Sequence, residues 1–365
     1  MCTKTYSAIN EIPNAFEPLF SDAAKQSIFF SLPWFKVLAE NVFFGDQIKI
    51  FCVESESSNA PLAALVCCER KEEQRWIRKV SGLENYYTSL YAPILESYDN
   101  PSKKVLDRLI AETQATSKKW DVMDLKPLPH SGVLFSSLET ALKNNGYATE
   151  PYFCFGNWYL EVQNRTFNEY LNSLPSKLKN TVKRKKNRLN KNHEYYIDLI
   201  SSPGEKLEKA IADYTEIYNK SWKKNEPYEN FIPCFLRVCA EHRWLRLGIL
   251  YLDNTPAAAQ IWTICNGNAY IYKLAYDESY SQYSVGSILT MEIMKHIIDT
   301  DKAREIDYLT GDMPYKEDWM SHRRERWGII AYNRKTIKGR ILYAVSAIKS
   351  HLKICLLKLK KHFKH

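Results

Sequence analysis

With 365 residues, 45% of them hydrophobic and 25% charged, the chain has room for two domains and an ordinary globular composition, which excludes disordered and fibrous classes. Nine scattered cysteines, without a Cys-x-x-Cys or His-Glu-x-x-His motif, argue against a disulfide framework or a metal site and for reduced thiols in the cytoplasm; no apolar signal region follows Met1-Cys2-Thr3-Lys4, and no spanning helix is expected. The formal charge of +9 is concentrated at the end, since residues 326–365 hold eleven lysines or arginines and no acid, leaving the body near neutral.

In chain order, Gln47–Glu54 and Ala60–Glu69 read as a hairpin closed by the Ser/Asn-rich turn Ser55–Asn59. Residues Asn100–Lys119 carry leucine and isoleucine at helical spacing, Asp121–Leu125 returns as a strand, and Asn145-Gly146 turns into Tyr147–Phe155. A second unit opens near Asn157 with the strand Trp158–Val162, then Phe167–Asn172 and the helices Ser176–Asn192, Pro203–Trp222 and Phe231–Glu241. Strands at Leu245–Leu252, Thr255–Asn266 and Ala269–Tyr276 precede a helix at Gly286–Asp299 and strands at Glu305–Leu309 and Trp327–Asn333. The expected fold is therefore α/β (α+β), a mixed, mostly antiparallel sheet flanked by helices in each half. Domains are expected at 1–155 and 156–335, with 336–365 as a basic amphipathic helical tail.

Ser284-Val285-Gly286-Ser287 opens a helix directly after a strand and a polar turn. Unpaired N–H groups at such a terminus, beside a glycine, suit a pyrophosphate; the plainer alternative is a serine cap. A short strand then delivers Thr310-Gly311-Asp312, with Tyr315, Lys316 and Trp319 close behind. A carboxylate beside a lysine at a strand end is a candidate proton acceptor for an amine, although a plain turn with a solvated lysine reads equally well. Gln260 and Lys273 interrupt apolar strand runs and need polar partners if buried. The stretch Lys177–Lys191 carries eight positive charges without an acid; lacking interleaved aromatics, it reads first as a solvated or polyanion-facing helix. In the tail, Ile341, Val345, Ile348, Leu352, Cys355 and Leu359 recur every three or four residues among lysines, a pattern for packing, pairing or lying on an anionic membrane.

Taken in order, these segments resemble the GNAT-superfamily acyltransferases of the CelD/BcsL type, relatives of the FemAB peptidyltransferases. The resemblance rests on Leu83–Tyr91, Leu174–Arg184, Ile217–Lys223 with Glu226-Pro227, Ala258–Trp262 and Tyr272–Glu278, then on Ser284–Gly286, Asp307–Asp312, Tyr315-Lys316, Asp318-Trp319 and Arg323–Arg326. It implies two tandem GNAT-like domains, the second binding acetyl-CoA or another acyl-CoA as co-substrate at Ser284, Val285, Gly286 and Ser287. Asp312 would be the base with Lys316 beside it, and Trp222, Gln260, Lys273, Tyr315 and Trp319 would shape the pocket of a small-molecule or glycan amine acceptor. The family's loop reads Arg/Gln-x-x-Gly-x-Gly/Ala. Ser281-Gln-Tyr-Ser284-Val-Gly286 departs from it, so an acyl carrier protein and aminoacyl-tRNA stay open as donors. Nucleic acid enters only under that last alternative. The expected place is the cytoplasm, with peripheral contact to the inner face of its membrane through 337–364; a non-catalytic scaffold is the remaining alternative.

Overall fold

The computed structural model describes residues 1–70, 76–115 and 119–362. In chain order the elements are β1 (Cys2–Tyr6), α1 (Glu17–Ala24), α2 (Leu32–Asn41), β2 (Gln47–Glu54), β3 (Pro61–Glu69), β4 (Lys79–Gly82), β5 (Ile94–Leu95), α3 (Lys103–Ala115), β6 (Val122–Pro129) and α4 (Leu134–Asn144). They continue with β7 (Tyr147–Glu161), α5 (Phe167–Ser173), α6 (Ser176–Asn192), β8 (Tyr195–Ile200), α7 (Glu205–Asn219), α8 (Phe231–Glu241), β9 (Leu245–Leu252), β10 (Thr255–Cys265) and β11 (Asn268–Tyr276). The last are α9 (Val285–Asp299), β12 (Glu305–Asp307), α10 (Pro314–Glu317), β13 (His322–Asn333) and α11 (Ile337–His362). Local chemistry sets several boundaries. Thr166 and Glu169 close a reciprocal capping box on α5, and the Ser31 side chain accepts from Trp34 N at the start of α2.

The chain forms two compact units, Met1–Ala23 with Phe29–Cys154 and Glu325–His365, and Ala24–Ile28 with Phe155–Arg324. In the first, strands run in the order β1-β2-β3-β4-β6-β13, antiparallel except for the β4–β6 pair. In the second, the order is β8-β9-β10-β11-β12-β7, antiparallel except for β11–β12. The two orders are the same: four strands, a helical connection (α3 or α9), a parallel fifth strand, and a closing antiparallel strand. That is the duplication hinted at by the sequence. The closing strands enter from opposite ends in sequence: β7 precedes β8–β12 of its unit, whereas β13 follows β1–β6 of the other. Glu161, Leu160 and Tyr159 of β7 pair with Glu305, Ile306 and Asp307 of β12, while Arg326–Tyr332 of β13 pairs with Val122–Pro129 of β6. The stretch 325–335, assigned by the sequence reading to the second domain, therefore packs with the first unit, and α11 follows it.

The core of the second unit is built between α9 and the strands. Ile288, Leu289, Ile293, Met294 and Ile297 of α9 pack with Leu250, Ala258, Trp262 and Ile271. Burying a side chain of this size stabilises by about 1.5–3 kcal/mol, so α9 is held at a fixed place on the sheet. That placement fixes where its N-terminus lies.

Candidate active site

Strands β11 and β12 pair over only three residues, Asn268↔Glu305, Ala269↔Ile306 and Tyr270↔Asp307. Beyond them β11 runs on to Tyr276 along β10, whereas β12 ends at Asp307 and the segment after it keeps contact with β7, through Tyr308 N to Trp158 O. A bulge lies at the parting point: Ile261 pairs with Lys273 and Trp262 with Ile271, so Tyr272 is the extra residue on β11. Bulges bend a strand and increase its twist. The two parallel strands diverge as a result, and the crevice at the carboxyl ends of such strands is where ligands of open α/β sheets bind.

Helix α9 begins beside the end of β11. Ser284 adopts a left-handed conformation (φ 55°) and makes no side-chain cap, so neither serine cap anticipated from the sequence is present at this position. Its carbonyl accepts from Ser287 N at 3.0 Å and Ile288 N at 3.1 Å, while Val285 and Gly286 supply the first N–H groups of the helix, which have no intrahelical acceptor. A methyl group built on Gly286 would meet only Tyr276, at 3.5 Å, so its surroundings are open. Gly286 and its neighbours fit a phosphate group.

A tense loop, Tyr308–Asp312, leaves β12. Leu309 (φ 54°) and Gly311 (φ 105°) both have positive φ, a conformation that costs a side-chain-bearing residue about 1–3 kcal/mol and persists only where the surroundings enforce it. Three groups do so. Leu309 N donates to Asp307 Oδ1 at 2.6 Å, and Asn157 Nδ2 donates to the same oxygen at 2.6 Å and to Leu309 O at 3.0 Å. Arg324 bonds Asn157 Oδ1 at 2.7 Å and forms ion pairs with Glu305 and the buried Asp307. From the other side Lys316, itself buried, donates to Tyr308 O at 3.0 Å and Thr310 O at 2.6 Å. Burial pushes the Lys316 ammonium down to about 8, against the opposing pull of Asp307 and Asp312.

Lysines converge from three elements. Lys273 of β11 is ion-paired with Glu226 from the loop after α7, and Glu226 also accepts from Tyr218. The ammonium groups of Lys273 and Lys223 lie 5.6 and 5.7 Å from the centre of the same Tyr218 ring. Burial is the first cause that brings Lys223 down to about 8; Lys273 and Lys316 add like-charge repulsion, and Glu226 opposes them. The Lys273 pKa is also lowered by burial, against Glu226. Trp222, exposed on the same loop, packs against Tyr276 with the rings tilted by 44° and their centres 4.7 Å apart.

The structure sorts the residues singled out by sequence. Trp222, Lys273 and Lys316 come together with Lys223, and Tyr315 stands half-exposed against Tyr308, ring centres 5.8 Å apart. Ser284, Gly286 and Ser287 sit at the α9 terminus, while the Val285 side chain is core. Gln260 is buried and fully engaged: it donates to Gly286 O and Thr290 Oγ1, both at 2.8 Å, and accepts from Trp262 Nε1 at 2.9 Å. Its polar partners are internal, so it ties β10 to α9 rather than reaching outward. Trp319 is core as well, with its carbonyl accepting from the Tyr170 hydroxyl at 2.9 Å. Asp312 is gripped by Arg323, with three contacts of 2.6, 3.0 and 3.1 Å. That hydrogen-bonded guanidinium, with further help from Trp158 and Lys316, holds its carboxyl below the usual range. A carboxylate so stabilised gives up its ion pair when it takes a proton, which weighs against the role expected of it from the sequence. Lys223 and Glu226 were visible only as members of the Trp222-Lys223…Glu226-Pro227 motif. No periodicity or spacing gave them a role.

Residues 176–317 match the family described as an acetyltransferase (GNAT) domain. No curated protein matches the sequence. Among solved structures, FemX is similar over 94% of this chain and 99% of its own, with a TM-score of 0.64 at 12% identity. A tandem GNAT protein from the clavulanic acid biosynthesis pathway covers 90% of this chain and 98% of its own, with a TM-score of 0.52 at 10% identity. The C-terminal domain of a lysylphosphatidylglycerol synthetase from Agrobacterium fabrum covers 93% and 97%, with a TM-score of 0.53 at 8% identity. The fold is thus shared with FemX and with the tandem GNAT protein, mixed and mostly antiparallel sheets flanked by helices. The match to the GNAT domain is confined to residues 176–317, within the second compact unit.

Proposed function

We propose that the chain transfers an acyl group, acetyl in the first instance, from a CoA thioester to the amine of a small-molecule or glycan acceptor. The observation that carries this is the parting of β11 from β12 beside the open N-terminus of α9, with Lys223 next to the opening. In this reading Ser284–Ser287 hold the phosphates of the donor; the amine forms the new C–N bond at the thioester carbonyl, the C–S bond breaks, and CoA leaves as a thiolate that is protonated from solvent. Lys223, half neutral at a pH of about 8, accepts the proton that the attacking amine loses. Lys273 and Glu226 fix its surroundings; Lys316 clamps the loop that forms the opposite wall. Asp312 orients Arg323 and takes no proton. An amino sugar of polysaccharide or envelope synthesis is the acceptor that the CelD/BcsL resemblance suggests. The free state of all eight described cysteines supports a cytoplasmic setting.

The test is thermal unfolding with coenzyme A and acetyl-CoA on wild type, Gly286→Trp and Gly286→Ala. At a hundredfold excess over Kd, a ligand stabilises by about 2.7 kcal/mol. Wild type and the alanine variant should show the shift and the tryptophan variant should not. A shift kept by Gly286→Trp would move the donor site; none in wild type would overturn CoA as donor and return the scaffold reading.

A second reading has one observation in its favour. Asn180, Lys183, Arg184, Asn187, Arg188 and Lys191 line an open groove on α6. A FemAB-like aminoacyl-tRNA donor would suit that cationic face, and would show tRNA affinity falling steeply with salt.

A further inference from the structure

Helix α11 is docked on one side and apolar on the other. Its inner face begins at Gly339, where a Cβ would come within 2.2 Å of Asn333 O and 2.8 Å of Asp121 O, so only glycine lets the helix lie this close to the strands. The same face continues through Tyr343, whose ring lies 5.8 Å from that of Tyr332, and Ser346, whose hydroxyl donates to the Glu150 carboxylate. The outer face carries Ile337, Ile341, Val345, Ile348 and Leu352, exposed by 69, 54, 42, 60 and 58%. They are four, four, three and four residues apart, one continuous stripe on an α-helix. Arg340 and Lys349 flank it in solvent, and from Arg326 onward the sequence has eleven basic residues and no acid.

A water-exposed aliphatic stripe of this length is unfavourable and calls for a cover. Pairing with a second copy would bring two acid-free, strongly cationic helices together with no carboxylate on either to offset the repulsion. Nucleic acid would take the lysines and leave the stripe in water. An anionic bilayer satisfies both features, apolar side chains at the acyl boundary and cations among the headgroups. No described helix is long and apolar enough to cross a membrane, so the contact is peripheral. We propose that the outer face of α11 docks the protein on an anionic phospholipid surface, independently of whatever donor the GNAT domain uses.

The experiment is flotation of the full chain with vesicles of phosphatidylcholine, with and without phosphatidylglycerol, at low and raised salt. Wild type should float with anionic vesicles only and release as salt rises. Arg340→Gln with Lys349→Gln should weaken partitioning roughly fivefold per charge removed. Ile341→Ser with Ile348→Ser should weaken it by at least about tenfold. These side chains are solvent-facing, so melting temperature and the acetyl-CoA shift should stay at wild-type values in both variants. Equal binding to neutral vesicles, or no effect of either pair of substitutions, would overturn the proposal. So would a dimer by sedimentation equilibrium that the isoleucine variant dissolves while wild type ignores vesicles.

Discussion

The sharpest expectation concerns Lys223. An unperturbed lysine, with a pKa near 10.5, is neutral in only about one molecule in 3,000 at pH 7. Brought down to about 8, Lys223 is neutral in about one in ten. Burial has thus raised the supply of the proton-accepting form about 300-fold, at a position where two further lysines and a single glutamate set the local field. Acyl transfer should climb with unit slope in pH and level off near 8. Lys223→Met should lose about 10²–10⁴ in kcat/KM, the usual worth of a positioned base, and also lose that inflection. Lys223→Arg, which keeps the charge and cannot shed it, should be as inactive as the methionine variant. The assay is initial rate of thiol release against pH, with two acceptors whose amines differ in pKa. An inflection belonging to Lys223 stays in place between acceptors, whereas one belonging to the amine moves. If Lys223→Met keeps both rate and inflection, the assignment is refuted.

Asp312→Asn should leave the pH profile intact and change stability by no more than about 1 kcal/mol, because its ion pair with Arg323 is well exposed; a lost inflection in this variant would restore the carboxylate as base. Lys316→Met removes the donor to Tyr308 O and Thr310 O and should cost about 1–3 kcal/mol for each carbonyl left without it, by urea unfolding. Since the folded pKa of Lys316 is lowered to about 8, the unfolded chain binds more protons above that pH, and wild type should gain stability relative to Lys316→Met between about pH 8 and 10. A flat difference across this window would remove the burial argument. Arg324→Met leaves the buried Asp307 without its cation and should destabilise by about 3–5 kcal/mol; a loss under 1 kcal/mol would mean that the loop after β12 is held by other contacts.

Much of the second unit was legible in the chain because its elements are periodic. Helices Ser176–Asn192 and Phe231–Glu241 and strand Leu245–Leu252 have the limits expected from apolar spacing, and the ordered motifs pointed to the GNAT scaffold that the domain match bears out. Strand β8 was missed although Tyr195, Ile197 and Leu199 alternate, since its other face carries only Tyr196, Asp198 and Ile200. β7 was read as two strands because its middle, Cys154–Gly156, has no clear alternation; it is one of 15 residues.

Sequence by itself determined most of the strands and helices of the second unit and where an open helix terminus follows a strand, because these depend on neighbours a few residues apart. The tertiary structure decided what each polar side chain does. Gln260 and Trp319 turned inward, Asp312 was claimed by Arg323 eleven residues on, and Lys223 acquired a lowered pKa from burial first, with added repulsion from Lys273 and Lys316, which lie far along the chain. It also decided the partners of the closing strands β7 and β13, which pairing across long sequence separations alone could settle. Burial and charge act through space, and the distances between such groups are not written in their spacing along the chain.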